Sequence, residues 1–150
     1  MFEQGHFRLD GQVALVTGGG AGIGRGIAEM FAGAGAAVVV SDLHAETAEA
    51  VASAITQAGG KATGIACNVT REDDLQAAVQ TAVDRFGGLN ILVNNAGGGG
   101  PKPFDMPMED FRWAYEINVF APFRLTQIAV PHMEAAGGGS VLNVSSMSAE

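Results

Sequence analysis

The chain has 150 residues, 47% of them hydrophobic and 16% charged, a balance that fits one soluble globular domain with a continuous core and excludes a disordered chain. Eight basic residues stand against sixteen acidic ones, for a formal charge of -8. The two lysines and six arginines are scattered, so no basic patch is available to neutralise a nucleic-acid backbone.

Short β-branched runs alternate with segments of helical period. Val13 to Thr17 is apolar nearly throughout, as a strand buried on both faces must be. Ile23, Ile27, Met30, Phe31 and Ala34 follow at i, i+4, i+7, i+8 and i+11, the stripe of an amphipathic helix that Gly35 ends. A second buried strand covers Ala37 to Ser41. Ala48, Val51, Ala52 and Ile55 then mark a helix stopped by Gly59 and Gly60, and Ala62 to Cys67 reads as a third strand. Thr70 with Asp73 predicts a capping box for a helix carrying Leu75, Ala78, Val79, Ala82, Val83 and Phe86. Ile91 to Val93 is a fourth strand. One helix is predicted through Phe111, Ala114, Tyr115 and Asn118 and another through Leu125, Ile128, Ala129 and Met133, with Pro122 between them. Val141 to Val144 is a fifth strand. This alternation predicts an α/β fold, a doubly wound parallel sheet whose ligands bind beyond the carboxyl ends of the strands.

The turn after the first strand, Thr17-Gly18-Gly19-Gly20-Ala21-Gly22-Ile23-Gly24, is where chemistry is expected. Gly18 permits a tight turn, Gly22 lets the backbone approach a pyrophosphate, and Gly24 lets the helix close on the strand. The helix N-terminus then presents N–H groups and a positive dipole end to an anion. The spacing is Gly-x-x-x-Gly-x-Gly; the commoner Gly-x-Gly-x-x-Gly does not occur. Asp42 ends the second strand, eighteen residues after Gly24. A carboxylate there accepts from both adenosine ribose hydroxyls and repels a 2′-phosphate, with no Lys or Arg in the glycine turn or at Leu43 to offset it. NAD is therefore the expected cofactor, although Asp42 is also placed to cap the next helix.

Thr17-Gly18-x-x-x-Gly22-x-Gly24 together with Asn94-Asn95-Ala96-Gly97 after the fourth strand resembles the short-chain dehydrogenase/reductase family, from about Leu9 to Glu150. The resemblance implies the Rossmann arrangement for residues 1–150, with Ile23 and Leu43 beside the cofactor and Asn68 and Val69 bordering the adenine. The family usually has Asp where Asn68 stands. Asn95, Ala96 and Gly97 would line the nicotinamide-side ribose and steady the sheet. Asn118 matches the helix Asn whose main chain holds a water in the family's proton relay; capping or bending its helix is the other role open to it. Ser145-Ser146-Met147 matches the serine strand end, and Ser146 is the expected catalytic hydroxyl.

A narrower likeness joins Asn94 to Pro107 and Ser145 to Glu150 with a hydroxysteroid-oxidising branch of that family, implying 7α-hydroxylated bile acids as substrates. Gly97 to Gly100 would leave room for a rigid ring system that Gly99 touches. The family's base is a Tyr on the helix after the fifth strand, with a Lys one turn further on. Tyr115, 31 residues before Ser146, and Lys102, in a Pro-flanked loop, are no substitutes, so the 150 residues are expected to be the leading part of a longer chain and inactive alone. The other readings are a dehydrogenase of sugars or 3-oxoacyl thioesters, and a non-catalytic dinucleotide-binding module.

Cys67 is alone, which excludes an internal disulfide or a cysteine zinc cluster, and reads as a buried hydrophobe. His6, His44 and His132 lack ligand spacing, so no metal is expected. Met1 to Arg8 does not resemble a signal peptide, and no apolar run approaches the ~20 residues of a membrane span. A cytoplasmic homotetramer is the expectation. Phe111, Trp113, Phe120 and Phe123 are candidates for its interface, though core packing is expected to claim most of them.

Overall fold

The computed structural model describes residues 7–146. In chain order it contains β1 (Val13–Thr17), α1 (Gly22–Gly33), β2 (Ala37–Asp42), α2 (Ala45–Gln57), β3 (Lys61–Ala66), α3 (Glu72–Phe86), β4 (Ile91–Asn94), α4 (Met108–Tyr115), α5 (Ala121–Ala135) and β5 (Ser140–Asn143). A π-helical turn, Glu116–Phe120, joins α4 to α5. All strand pairs are parallel, in the order β3-β2-β1-β4-β5. The chain winds outward from β1 through β2 to β3, then returns to β1's other side for β4 and β5. This is the doubly wound sheet the alternation predicts, with its switch point between β1 and β4.

Each central strand is apolar throughout because it serves two cores. Val13 and Leu15 of β1 pack with Val39, Leu92 and the inner faces of α3 and α5. Ala14 and Val16 point the other way, toward Val38, Val40, Val93 and the inner faces of α1 and α2. The edge strands are less covered, β3 partly and β5 exposed along its length. The predicted third and fifth strands each begin one residue earlier in the structure. Lys61 pairs with Ala37, and Ser140 with Ile91, so ladder pairing rather than side-chain apolarity sets those ends.

Three local predictions are corrected. In α1 the buried residues are Gly24, Ala28 and Ala32, whereas Ile23 and Met30 are exposed. The small residues at i, i+4 and i+8 let the helix axis approach the sheet, and Ile27 and Phe31 pack only at its flank. The capping box does not form. The residue before α3 is Arg71, and the Thr70 hydroxyl donates instead to Asn68 Oδ1 at 2.7 Å. Glu72, Asp73 and Asp74 complement the helix dipole there. Pro122, expected between two helices, is the second residue of α5. The Ala121 N–H reaches back to the Glu116 carbonyl, a π register that carries the chain into α5 without a loop. At that position the absent proline N–H costs little.

Among the described residues no helix is long and apolar enough to cross a membrane. Cys67 is buried as expected, and burial, then the nearby Asp74, pushes its thiol up to about 11.

Candidate active site

The glycine turn lies across the carboxyl end of β1. Gly18 has φ +61°, and a β-carbon there would come within 3.0 Å of Asn95 Nδ2. At Gly24 a β-carbon would run into the Gly18 carbonyl, so only glycine lets α1 start this close to the strand. Gly22, at φ +54°, faces open space instead. No side chain caps the first turn of α1, and no acidic residue lies in it. The N–H groups and dipole of a twelve-residue helix therefore open toward the gap at Gly22, where a β-carbon would meet nothing within 4 Å.

The Asp42 carboxylate turns toward this gap. Gly20 N–H donates to Asp42 Oδ2 at 3.0 Å, while His44 N–H and the Thr47 hydroxyl donate to Oδ1, each at 3.2 Å. The same carboxylate thus braces the start of α2 and meets the glycine turn, so both roles read from the sequence coexist. Leu43 follows it with its side chain exposed.

Buried Thr17 joins the turn to β4. Its hydroxyl oxygen accepts from Asn95 N–H and Ala96 N–H, both at 3.0 Å, and its own proton goes to the Val93 carbonyl at 3.3 Å. Asn95 Nδ2 donates to the Thr17 and Gly18 carbonyls at 3.0 and 3.2 Å, clamping the glycine turn at the switch point. Asn94, also buried, ties β4 to β5 and α5 through Asn143 Oδ1 at 2.9 Å and Thr126 Oγ1 at 3.3 Å. Sequence reasoning missed Thr17, Asn94 and Asn143 as parts of this frame. The signal for Thr17 and Asn94 was their place in the two motifs that carry the family resemblance.

At the end of β3, Asn68 Oδ1 accepts from the Thr70 N–H and hydroxyl, leaving its NH2 as the side-chain group able to meet a ligand. The Val69 side chain belongs to the core, so only its main chain can border a base.

Across the switch point, Ile23, Ala96, Gly97, Asn118, Ser145 and Ser146 share the wall of one cleft of 990 Å³. Asn118 grips the loop after β4: its Oδ1 accepts from Gly98 N–H at 3.3 Å, and its Nδ2 donates to the Gly98 carbonyl at 2.7 Å. A further bond to Ala114 O at 2.9 Å fixes the side chain on its own helix. Pro122, four residues on, has no N–H to offer the Asn118 carbonyl. The reading of four glycines as open room changes here. A β-carbon at Gly97 would lie 2.8 Å from Asn118 Oδ1, and one at Gly98 2.6 Å from the Trp113 ring, so these two are needed for close packing on the helix. Gly99, at φ +82°, makes only ordinary contact with Ala114. Tyr115 is half-exposed and packs at a tilt against Phe111 and Phe120 rather than lining this cleft. Met147 to Glu150 and His6 lie outside the described residues.

An uncapped twelve-residue helix, an oriented acid at the next strand end and a serine-bearing cleft across the switch point lie together at the carboxyl ends of the strands. The chain belongs to the short chain dehydrogenase family, whose model matches residues 12–150. It is 55% identical over 150 residues to 7α-hydroxysteroid dehydrogenase of Escherichia coli (strain K12), a match covering 100% of this chain and 59% of that protein. It is 38% identical over 142 residues to cyclohexanol dehydrogenase of Acinetobacter sp. (strain SE19), covering 93% and 57%. Among solved structures, 7α-hydroxysteroid dehydrogenase complexed with NADH and 7-oxo glycochenodeoxycholic acid superposes with a TM-score of 0.93 at 54% identity, over 98% of this chain and 58% of that one. The chain thus spans about three-fifths of the length of these relatives.

Proposed function

We propose that the full-length protein is an NAD-dependent dehydrogenase that interconverts a secondary alcohol and a ketone, with a 7α-hydroxysteroid of the bile-acid class as substrate, and that residues 1–150 are its cofactor-binding domain. The observation that carries this is the Asp42 carboxylate, held by Gly20 N–H and facing an uncapped helix N-terminus. The first turn of α1, with Gly22 and Ile23, would hold the pyrophosphate, and Asp42, beside Leu43, the adenosine ribose. Asn68 and the Val69 main chain would border the adenine, and Ala96 and Gly97 the second ribose. When bound, the nicotinamide supplies a hydride acceptor or donor. Ser146 holds the substrate oxygen by a hydrogen bond, Asn118 anchors the loop beneath it through Gly98, and Gly99 borders the substrate.

The steroid assignment is supported by the relative complexed with NADH and 7-oxo glycochenodeoxycholic acid. The relative that is a cyclohexanol dehydrogenase favours, as second reading, a smaller alcohol in the same site. The single buried thiol agrees with a reducing cytoplasm. The exposed aromatic face of α4 and α5 supports a homotetramer.

Steady-state assays of the full-length protein with NAD should show oxidation of a 7α-hydroxy bile acid. Ser146→Ala should lower kcat by about 100-fold or more while leaving the NAD dissociation constant unchanged. Turnover of cyclohexanol or 3-oxoacyl thioesters without bile acids would replace the steroid assignment. A protein that binds no dinucleotide would remove the reading altogether.

A further inference from the structure

The Asp42 carboxylate has a soft final torsion, so its orientation is set by its donors rather than by its own rotamer. Two of those donors, Gly20 N–H and His44 N–H, belong to the turns on either side of the carboxylate. The third, the Thr47 hydroxyl, comes from the first turn of α2. It also lies 2.9 Å from the His44 carbonyl, so its single proton is shared between that carbonyl and Asp42 Oδ1. The backbone of the glycine turn is pressed against this pair. A β-carbon at Gly20 would fall 2.6 Å from Thr47 Oγ1 and 2.8 Å from Asp42 Oδ2. Three elements, the glycine turn, the end of β2 and the start of α2, therefore meet at one carboxylate, and Thr47 is the only side chain that α2 contributes to it among the described hydrogen bonds.

We propose that Thr47 is a positioning residue that holds Asp42 in its ribose-accepting orientation and so strengthens the preference for NAD over NADP. This rests on the dinucleotide reading of the site. With the hydroxyl in place, the carboxylate plane is fixed from both sides. It then offers its remaining acceptor capacity toward the gap and keeps its negative charge where a 2′-phosphate would sit. Without the hydroxyl, only the two backbone N–H groups hold the carboxylate, and it can rock out of the ribose-accepting plane. The diol loses an acceptor and the phosphate loses a repulsive neighbour.

The test is calorimetric titration of the full-length protein and its Thr47→Val and Thr47→Ser variants with NAD and with NADP. Thr47→Val keeps the side-chain volume and should weaken NAD binding on the order of three- to ten-fold, the worth of one net hydrogen bond. NADP binding should change by less than about two-fold, so that the NAD:NADP ratio falls, and Thr47→Ser should restore it. Unchanged NAD affinity in Thr47→Val, or equal losses for NAD and NADP, would overturn the proposal; the second result would reduce Thr47 to a brace for α2. A wild-type protein that takes up neither dinucleotide defeats the underlying reading instead, and this is visible before any variant is made.

Discussion

Thr17 is only 2% exposed, and its hydroxyl is the sole side-chain acceptor for two adjacent N–H groups at the start of the loop after β4. Thr17→Val preserves the shape but leaves Ala96 N–H facing an apolar methyl and Asn95 N–H with only the Val93 carbonyl, 3.1 Å away. Each buried donor left unmade costs about 1–3 kcal/mol, a large fraction of a typical domain's stability. Urea unfolding should show a clearly lower midpoint for Thr17→Val and a near-normal one for Thr17→Ser. Equal midpoints for the wild type and Thr17→Val would mean that water or a shifted loop satisfies those groups. The contrast with Asp42 explains what could be seen beforehand at this scale. An acid at a strand end after a glycine turn has a chemical reason to be there that its position in the sequence discloses. The hydroxyls of Thr17 and Thr47 act through partners 78 and 5 residues away, and the longer relation appears only once β1 and β4 lie side by side.

Elements bound by periodicity alone were legible: β1, β2, α2 and α3 carry their buried residues where the pattern places them. The α1 stripe was not, because Gly24, Ala28 and Ala32 bury their helix by smallness, which a hydrophobic pattern does not register. The join of α4 to α5 was hidden because Pro122 reads as a breaker unless the π turn before it is known. Between elements, α3 and α5 are clasped by Arg124, whose guanidinium donates to Glu72 Oε1 at 2.6 Å and to Oε2 at 2.9 Å. The Arg124 hydrogen bond first, then that from Gln76, hold the Glu72 carboxyl at about 2, below its ordinary 4.5. A carboxyl lowered on folding stabilises the fold above the unfolded value and stops doing so as pH falls through the folded one. Both partners are half-exposed, so the effect is modest and weakens with salt. Glu72→Gln should therefore lower the thermal midpoint at pH 7, with the difference from wild type closing as pH drops from 4.5 toward 2. A gap that stays constant over that range would assign the loss to packing rather than to the charge of Glu72.

At the scale of the whole molecule, the described residues present one face that their core does not cover. Core packing was expected to claim most of Phe111, Trp113, Phe120 and Phe123, yet they are 42%, 48%, 55% and 64% exposed, all on the stretch from α4 into α5. Their register explains why: Ala121, Leu125, Ile128, Ala129 and Met133 already fill the sheet-facing side of α5, so the aromatic residues must project elsewhere. Phe111 and Tyr115 have centroids 5.1 Å apart, and Tyr115 and Phe120 6.4 Å, an apolar ridge of the kind that marks an interface, while Trp113 lies beside Gly98 and Phe123 lines the cleft. A twofold contact between copies would bury the ridge against itself, so any substitution enters each interface twice. Burying one Phe is worth about 1.5–3 kcal/mol, and a carboxylate in its place would also have to be desolvated. Phe120→Glu in the full-length protein should accordingly shift the sedimentation-derived mass from a tetramer to a smaller species. The fold of the described residues should survive, because the side chain is more than half exposed within them. A mass identical to wild type at micromolar concentration would show that the ridge is not where copies meet, and the proposed assembly would have to be built through another face.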